Sequence, residues 1–422
     1  MKRSSILALL SLLVLAFSLQ AQTTKEEFLS DPEYTGGLYR PYHPGVSPAT
    51  PPPAGYEPFY ITHYGRHGSR WLLSASVYTS TTSVLREAEK AGVLTARGTA
   101  LLGQLTTAAA DAAERYGDLS PLGAVEQRGI AERMYRAFPE VFRARDGQAP
   151  VIHTRSTQVP RCILSMAAFD ERLKELDPAM QISREASKRD SCLNHDPVVN
   201  RDTVKAITMA FLSRHFDPAR FIGGLFADTA YARKHIADRT DFARQVFSAA
   251  INMPNLPYLN IGMMDVFTPD ERFVLWQASN LHMYGLVGPS VVNGRSALQS
   301  ASLLLNDIVV RAEAAINEPR VAADLRFGHD SYIIPLLGLM GVRGMDAGES
   351  DPDRVFTAWT DFKASPMGSN IQLIFYRNAE KDDVLVKVLH CEKETALPVH
   401  TDVAPYYHWR DVRSFFAKRV TG

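Results

Sequence analysis

A histidine stands between two arginines in the segment Arg66-His67-Gly68-Ser69-Arg70. Each guanidinium can donate paired hydrogen bonds to phosphate oxygens, so two arginines this close together suit an anionic ligand. Fixed positive charge disfavours the imidazolium form, which keeps His67 a free base and a candidate nucleophile. Attack of this imidazole on phosphorus would give a phosphohistidine intermediate. Gly68 removes a side chain, so the backbone can turn sharply and a ligand can come close.

The same segment has less specific interpretations. An Arg-His-Gly tripeptide alone is a weak signal of catalysis. A metal site on His63 and His67 is a second interpretation, but the spacing His-x-x-x-His serves a metal from a helix. Two glycines and two arginines argue against a helix here. We therefore expect neither a metal nor a cofactor.

Two further segments carry residues suited to phosphate chemistry. The run Arg155-Ser156-Thr157 is followed by Arg161, and its first arginine could reach the same crevice. Gly328-His329-Asp330 supplies a carboxyl group, and cleavage of a phosphate monoester needs an acid that gives a proton to the leaving alkoxide. Asp330 fits that role, and His329 could donate to a phosphate oxygen. Taken alone, each segment is also explained by capping of the helix that follows it.

All three segments are predicted to follow short strands. Phe59–Tyr64 is rich in aromatic and β-branched residues and is typical of a buried strand. Val151–Thr154 is a second short strand, and Leu325–Gly328 leads into the third segment. In open α/β sheets, ligands bind beyond the carboxyl ends of strands. We therefore expect the three segments to meet in one pocket, around one bound oxyanion.

Helical patterns separate these strands. Residues 79–115 have helical periodicity with a break, and Ser120 is expected to cap a helix whose first residue is a proline. Ser156 or Thr157 is expected to cap the helix Val159–Leu176. Each of these helices would connect strands of one sheet.

The rest of the chain divides into a helical middle and a strand-containing end. Residues from about 200 to 320 are almost wholly helical in pattern. Asn370–Tyr376 and Val384–His390 alternate in polarity and predict a hairpin, and Trp409–Lys418 is an amphipathic helix. This order predicts one α/β core interrupted by a helical cap. The predicted division is a signal peptide over 1–22, a catalytic core over 23–180 and 321–422, and a mainly α-helical cap over 181–320.

Composition excludes several classes of protein. The chain has 422 residues, of which 45% are hydrophobic and 22% charged, so it is neither disordered throughout nor fibrous. Its 46 Lys and Arg residues equal its 46 Asp and Glu residues in number. A nucleic-acid partner normally requires a basic excess, so none is expected.

The N-terminus has the pattern of a secretory signal peptide. Lys2 and Arg3 form the positive region, Ile6–Phe17 is an apolar stretch too short to span a bilayer, and Ala21 suits cleavage. An uncleaved anchor is the alternative. No later apolar run is long enough for a span, so we expect a periplasmic or secreted protein with no membrane partner after signal removal.

The three cysteines leave two possibilities open. In an oxidising compartment, two of Cys162, Cys192 and Cys391 could form a disulfide, and the sequence does not decide which two. Buried free thiols are the other possibility.

The order of the motifs resembles that of the histidine acid phosphatases, the branch of the histidine phosphatase superfamily that contains phytases. Arg-His-Gly-x-Arg stands at 66–70, and Leu-Ser-Pro-Leu-Gly-x-x-x-Gln at 119–127. Arg-Ser-Thr-x-x-x-Arg follows at 155–161, and His-Asp at 329–330. The segments around the first and last motifs look most like those of phytases and multiple inositol polyphosphate phosphatases.

This resemblance implies a fold and a set of roles. The implied fold is α/β, with a Rossmann-like, phosphoglycerate-mutase-like core sheet and an inserted α-helical cap domain that shapes substrate choice. No metal or cofactor is implied. The implied roles are phosphate binding by Arg66, Arg70, Arg155 and His329, nucleophilic attack by His67, and proton donation by Asp330.

The implied activity is hydrolysis of phosphate monoesters, with inositol polyphosphates such as phytate as the favoured substrates. Arg184, Lys188, Arg189 and Arg201 could hold peripheral phosphates, or form a solvated basic face. The substrate is then a small-molecule phosphomonoester, and no obligate protein partner is inferred. A broad acid or sugar phosphatase is an alternative, and a catalytically dead protein that binds phospho-ligands is an alternative of another class.

Overall fold

The computed structural model describes residues 22–45, 49–194, 199–318 and 320–421. The predicted signal peptide falls almost entirely on residues 1–21, which lie outside these ranges. Eight strands within the described ranges form one sheet. The strands are β1 (Tyr56–Arg66), β2 (Val151–Ser156), β3 (Gln181–Glu185), β4 (Val321–Gly328), β5 (Asn370–Asn378), β6 (Lys381–His390), β7 (Lys393–Glu394) and β8 (Tyr406–His408).

The order of strands in this sheet brings distant segments together. It is β3-β2-β4-β1-β5-β6-β7, and β8 pairs with β6. The first four strands are parallel, and the pairs from β1 to β5 onward are antiparallel. Arg66 is in register with Gly328, and Ser156 with Phe327, so β1, β4 and β2 end at the same edge. The predicted strands and the predicted hairpin are confirmed.

Helices occupy most of the connections between strands. The N-terminal segment, Pro32–Tyr39, forms a 3₁₀ helix that is kinked at Gly37. The α-helices are α1 (Lys25–Ser30), α2 (Ser76–Lys90), α3 (Ala96–Ala112), α4 (Pro121–Ala137), α5 (Pro160–Leu176), α6 (Arg201–His215), α7 (Ala219–Leu225), α8 (Thr229–His235), α9 (Arg239–Asn252), α10 (Pro269–Val287), α11 (Ser296–Gln299), α12 (Ser302–Asn317), α13 (Asp330–Leu339), α14 (Val355–Ala358), α15 (Asp361–Ala364) and α16 (Trp409–Thr421).

Both faces of the sheet are covered by helices. On one face, α4 and α5 pack on each other and bury Met134 and Phe169 against Ile61 of β1. On the other face lie α12, α13 and α16, where Tyr60 joins the larger hydrophobic core. Successive side chains of a strand point to opposite faces, which is why Tyr60 and Ile61 belong to different cores. The predicted α/β fold class is confirmed.

Helices α6 to α10 follow one another without an intervening strand, and we call them the helical region. Helix α6 packs on α10, and α9 packs on α2, which belongs to the segment predicted as core. Strand β3 extends the sheet to residue 185, and α12 packs on β1 and β4. The helical region is therefore narrower at both ends than residues 181–320, and the division into two domains stays a prediction.

One predicted helix cap is confirmed and another is wrong. Ser120 accepts a hydrogen bond from the third residue of α4, as predicted. Neither Ser156 nor Thr157 caps α5, which begins at Pro160 after an N-cap, Val159, that makes no side-chain hydrogen bond. Strand β2 continues through Ser156, so both hydroxyl-bearing residues stand too far ahead of the first helical turn to cap it.

Two further predictions concern thiols and membrane spans. All three cysteines are free thiols in this structure, and Cys162 and Cys192 are buried. Across the part of the chain that the structure describes, no helix has the length and apolarity needed to cross a membrane.

Candidate active site

The first and last motifs meet in one pocket at the carboxyl ends of β1 and β4. The pocket has a volume of about 480 Å³, and Arg66, His67, Arg70, His329 and Asp330 all line it. The two imidazole rings lie with their centroids 5.7 Å apart. The pocket that the sequence predicts is therefore present, with most of the predicted side chains in it.

His67 is held in one orientation and one protonation state. Its ring is buried, and Nδ1 lies 2.8 Å from the carbonyl oxygen of Gly68. Because a carbonyl can only accept, Nδ1 carries the proton, and in the neutral ring Nε2 keeps its lone pair. Burial, followed by the charges of Arg66, Arg70 and Arg161, holds the pKa of His67 well below its usual range. The imidazole is thus a neutral base with an available nitrogen.

Arg66 is completely buried and anchored on three sides. Its Nη1 donates to the carbonyl oxygens of Leu38 at 2.7 Å and Ser365 at 2.6 Å, and its Nη2 donates to Asp330 Oδ2 at 2.6 Å. Within the described residues, Nε has no hydrogen-bond partner. A guanidinium carries five N–H groups, so two of those on Arg66 remain for a bound oxyanion.

Arg70 is held by neutral groups. Its Nη1 donates to the carbonyl oxygen of Trp71 at 2.9 Å, and its Nη2 donates to the hydroxyl of Tyr39 at 3.3 Å. The guanidinium also lies over the ring of Tyr39, 4.9 Å from its centroid. An aromatic face orients a guanidinium without neutralising it, so the positive charge of Arg70 stays available to a ligand.

The motif at 155–161 contributes a different arginine from the one predicted. Arg155 was expected in the pocket, but its guanidinium lies between Asp190, at 2.9 Å, and Asp307. Arg161 lines the pocket instead, and its Nη2 lies 3.4 Å from Nδ1 of His329. Arg161 is on the first turn of α5, which points its side chain toward the end of β4 rather than along the sheet.

His329 is fixed by contacts on both its backbone and its ring. Its backbone N–H donates to the hydroxyl of Tyr64 at 3.1 Å, and Nε2 lies 3.3 Å from Oγ1 of Thr157. Burial, and then the charge of Arg161, lowers the pKa of His329 to about 4. Because Arg161 can only donate, Nδ1 accepts, and the neutral ring carries its one proton on Nε2, which faces Thr157. A hydrogen bond from this ring to a phosphate oxygen stays a prediction.

Asp330 is the carboxylate of this pocket. It is the first residue of α13, and its Oδ1 accepts from the backbone N–H of Ser331 at 2.8 Å. Burial alone would raise the pKa of Asp330, but the charges of Arg66 and Arg70 lower it below its usual range. A ligand that brings negative charge to these arginines would move this pKa back up.

The loop that carries His67 is held by side chains of α4. Glu126 of α4 accepts from the backbone N–H of Ser69 at 2.6 Å and from its hydroxyl at 2.8 Å. Gln127 donates to the carbonyl oxygen of Arg66 at 3.0 Å. A Cβ on Gly68 would lie 2.3 Å from the carbonyl oxygen of Gly123, so only glycine fits. The second motif of the sequence, 119–127, therefore positions the first.

Other predicted binding residues are divided between the pocket and elsewhere. Arg201 lines the pocket, whereas Arg184 pairs with the buried Asp170 at 2.9 Å. Lys188 and Arg189 are absent from the residues that line the pocket within the described ranges. Sequence reasoning missed Glu126, because a carboxylate in the middle of a helix gives no signal of its own. Arg161, in contrast, is the last residue of a recognised motif.

The structure places His63, the first residue of the possible metal pair, away from any metal-binding arrangement among the described residues. Among the described residues, no group of three or more His, Cys, Asp and Glu side chains is placed to hold a metal ion. The ring of His63 packs against Phe169 and Phe327 on the face covered by α4 and α5. Burial lowers its pKa to about 3, so His63 behaves as a neutral core residue.

The fold of this chain is found in solved structures. No protein-family model and no curated protein matches the sequence. The multiple inositol polyphosphate phosphatase of Bifidobacterium longum, in complex with inositol hexasulfate, matches with a TM-score of 0.75 at 18% identity, over 92% of this chain and 98% of that chain. The phytase from D. castellii matches with a TM-score of 0.67 at 15% identity, over 95% and 87%.

A third structure extends the comparison. The phytase of Hafnia alvei, in its apo form, matches with a TM-score of 0.53 at 13% identity, over 88% of this chain and 98% of that chain. Identities this low establish likeness of fold, and the coverage is nearly complete in each direction. This chain therefore has the fold of the multiple inositol polyphosphate phosphatases and phytases, as the order of its motifs predicts.

Proposed function

We propose that this protein is a phosphomonoesterase that acts through a phosphohistidine on His67. The observation that carries the proposal is the state of that imidazole. Its Nδ1–H donates to the Gly68 carbonyl, and the ring lies among arginines in a pocket where Asp330 is the carboxylate among the described lining residues. A nucleophile, fixed positive charge and a proton donor are the groups that phosphoryl transfer requires.

In the first step, Nε2 of His67 forms a bond to phosphorus while the bond from phosphorus to the ester oxygen breaks. The carboxyl group of Asp330 gives its proton to that oxygen, which leaves as an alcohol. In the second step, Asp330 takes a proton from water, whose oxygen bonds to phosphorus as the N–P bond breaks. Inorganic phosphate leaves, and both side chains return to their starting states.

The arginines supply most of the stabilisation in this scheme. Hydrolysis of phosphate monoesters is among the slowest uncatalysed reactions, so about 20 kcal/mol or more of transition-state stabilisation is needed. Arg66, Arg70 and Arg161 line the pocket, and their positions are fixed before a substrate binds. Donors that need no reorganisation during the reaction are the most effective. We expect better activity below neutrality, because Asp330 must be protonated for the first step.

Inositol polyphosphates are the proposed substrate group. The Bifidobacterium longum phosphatase was solved with inositol hexasulfate and with phosphate, and its fold covers 92% of this chain. A pocket of about 480 Å³ has room for a ring, and Arg201 adds positive charge beyond the three arginines near His67. Apolar side chains, including Leu73 and Met283, line the same pocket and favour the alternative of a broader acid or sugar phosphatase.

Export is part of the proposal. Lys2, Arg3 and the apolar stretch Ile6–Phe17 support delivery to the periplasm or the exterior. Detection of the mature protein in a periplasmic or culture fraction, with its N-terminus near residue 22, would test this.

The central experiment measures release of phosphate from p-nitrophenyl phosphate and from phytate, with a chelator present. The variants are wild type, His67→Ala and, as a matched control, the exposed His400→Ala. We expect His67→Ala to lose activity by ~10⁴-fold or more, and His400→Ala to keep it. Equal release by His67→Ala and wild type would remove His67 as nucleophile. The ratio of the two substrates separates a phytase from a broad phosphatase.

A further inference from the structure

The position of Arg66 depends on two backbone carbonyls. Its Nη1 donates to Leu38 at 2.7 Å and to Ser365 at 2.6 Å. Leu38 belongs to the N-terminal segment Pro32–Tyr39, and Ser365 follows α15. These two segments are far apart in the sequence, so some group must fix them relative to one another if the guanidinium is to have one position.

Asp361 is in contact with both segments. The backbone N–H of Leu38 faces its carboxylate and favours the charged form, and the backbone carbonyl oxygen of Asp361 accepts from the backbone N–H of Ser365 at 2.8 Å. The residue is 1% exposed, and the proton transfers proposed above do not need its carboxylate. A buried carboxylate is costly unless polar contacts satisfy it. Here the carboxylate contacts the segment that carries Leu38, whereas the backbone carbonyl of Asp361 holds Ser365.

A third set of contacts ties Asp361 to the helical region. Trp276 of α10 donates from Nε1 to Oδ1 of Asp361 at 2.9 Å. Asn280, one turn further along α10, accepts from the backbone N–H of Asp361 at 2.7 Å. The same residue therefore joins the N-terminal segment, α10 and the end of α15.

The N-terminal segment lies directly on this carboxylate. A Cβ on Gly37 would stand 2.6 Å from Oδ2 of Asp361, and Gly37 has a φ of +52°. A side chain at this position would both clash and strain the backbone. The close approach leaves Leu38 little freedom to shift relative to Asp361.

We propose that Asp361 is a positioning residue, which sets the place of the Arg66 guanidinium by fixing the Leu38 and Ser365 carbonyls and couples that place to α10. The inference rests on the proposed function for the role of Arg66. Asp361 itself has no contact with a substrate in this account. Its effect reaches the bound phosphate only through Arg66.

Asp361→Asn tests the proposal with a nearly isosteric change. Two donors face the side chain, the indole N–H of Trp276 and the backbone N–H of Leu38, and the amide offers one acceptor oxygen. Either the indole N–H of Trp276 or the backbone N–H of Leu38 must then face the –NH₂ group, which cannot accept a hydrogen bond, and that donor will move away. We expect kcat/KM to fall ~10- to 100-fold, and the inhibition constant of inorganic phosphate to rise in parallel, since displacement of a binding group by about 1 Å has effects of this size.

Trp276→Phe provides a matched control and a rescue. It removes one of the two donors without adding a group to the pocket of His67, so we expect kcat/KM within about threefold of wild type. In Asp361→Asn/Trp276→Phe, the amide oxygen is free for Leu38, and kcat/KM should recover several-fold relative to Asp361→Asn alone. A purely structural role predicts additive losses of stability and no such recovery.

Two results would overturn the proposal. The first is a folded Asp361→Asn protein with the wild-type kcat/KM and the wild-type inhibition constant for phosphate. If Asp361→Asn does not fold, Gly37→Ala disturbs the same contact from the other side, and wild-type values there are the second. If wild type hydrolyses no phosphate ester, the proposed function fails separately. Calorimetric binding of inorganic phosphate then compares the variants, and equal affinities again contradict the role of Asp361.

Discussion

Two groups of buried and half-buried arginines lie near the carboxyl ends of β1, β2 and β4, and they differ in how their charge is balanced. In the catalytic pocket, Arg66, Arg70 and Arg161 lie near His67, with Asp330 as the carboxylate among the lining residues that the structure describes. Arg70 and Arg161 donate to carbonyl, hydroxyl and imidazole groups, which leave their charges uncompensated. Positive charge is in excess in this pocket.

The second group is balanced. We call it the ion-pair cluster, and its guanidiniums each have carboxylate partners. Arg155 lies 2.9 Å from Asp190 and also contacts Asp307. Arg326 lies 2.7 Å from Asp307. The members of the ion-pair cluster are Arg155, Arg311, Arg326, Asp190, Asp307 and Asp324.

This difference in charge balance is what we expect between a site that binds an anion and a cluster that stabilises the fold. Buried ion pairs satisfy one another, and loss of one partner leaves an uncompensated charge. An excess of buried guanidiniums is unfavourable in the free protein and becomes favourable only when an anion arrives. The catalytic pocket is therefore built for an oxyanion, whereas the ion-pair cluster joins β2, β4 and α12 to the chain around Asp190.

The largest effect within this comparison is expected from the single carboxylate of the catalytic pocket. Asp330→Asn keeps an acceptor for Arg66 but cannot give a proton to the leaving group. We expect kcat to fall by ~10²- to 10⁴-fold. The loss should be greater with phytate than with p-nitrophenyl phosphate, since p-nitrophenolate leaves without a proton.

The ion-pair cluster offers the matched control for that change. Asp190→Asn also removes a carboxylate charge from a buried arginine, yet it touches neither His67 nor the leaving group. Folded Asp190→Asn should keep its kcat. Equal losses of kcat in Asp330→Asn and Asp190→Asn would show that Asp330 acts only as a structural ion pair.

The next effect comes from Arg155 and Arg161, the two arginines of the motif at 155–161. Arg161→Ala removes a donor from the catalytic pocket, and we expect kcat/KM to fall ~10²- to 10³-fold with little change in stability. Arg155→Ala leaves Asp190 without its arginine and removes one of the arginines that contact Asp307, and we expect a loss of about 3–5 kcal/mol in the free energy of unfolding. The folded fraction of Arg155→Ala should retain most of its kcat/KM.

Denaturant unfolding and steady-state kinetics on the same samples separate the two outcomes. A stable Arg155→Ala protein with greatly reduced kcat/KM would return this arginine to the catalytic role implied by the family resemblance. An unchanged kcat/KM in Arg161→Ala would exclude that residue from phosphate binding.

The sequence predicts the fold and the centre of the pocket well, because both depend on local signals. Phe59–Tyr64 has the residues of a buried strand, and Arg66 and Asp330 stand where strands end. The rule that ligands bind at the carboxyl ends of parallel strands then brings β1 and β4 together. The register of these two strands, with Arg66 beside Gly328, agrees with that expectation.

The sequence does not distinguish Arg155 from Arg161. Both belong to one motif, and which arginine enters the pocket depends on partners that are remote in the chain. Asp307 lies on α12, 152 residues beyond Arg155, and it binds that guanidinium away from the site. Asp361 is hidden for the same reason, since its partners Leu38 and Trp276 are identified only by the tertiary structure.

The effect of inorganic phosphate on thermal stability distinguishes the arginines of the catalytic pocket from those of the ion-pair cluster. A ligand that binds only the folded state at 100 times its dissociation constant stabilises it by about 2.7 kcal/mol. We expect phosphate to raise the midpoint of thermal unfolding in wild type and in Arg155→Ala. The increase should be smaller in Arg161→Ala at the same phosphate concentration. An equal increase in all three proteins would place phosphate outside the catalytic pocket.

The smallest effect is a dependence of stability on pH that belongs to the ion-pair cluster. Burial alone would raise the pKa of Asp324, but the imidazole of His153, 3.5 Å away, and the charges of Arg326 and Arg311 lower it to about 2. An unfolded Asp has a pKa of about 3.9, so this shift contributes about 2.6 kcal/mol of stability. The contribution is complete above the unfolded value and is lost as the pH falls toward the folded value.

Asp324→Asn removes this titration and gives the measurement. Because the carboxylate is the stabilising form, the difference in the free energy of unfolding between wild type and Asp324→Asn should be about 1 kcal/mol smaller at pH 3 than at pH 6. Urea unfolding at both pH values measures that difference. If the difference in the free energy of unfolding does not change with pH, Asp324 is not selectively stabilised as a carboxylate. The arginines of the ion-pair cluster would then not be neutralised by their carboxylate partners, and the cluster would no longer differ in this way from the catalytic pocket.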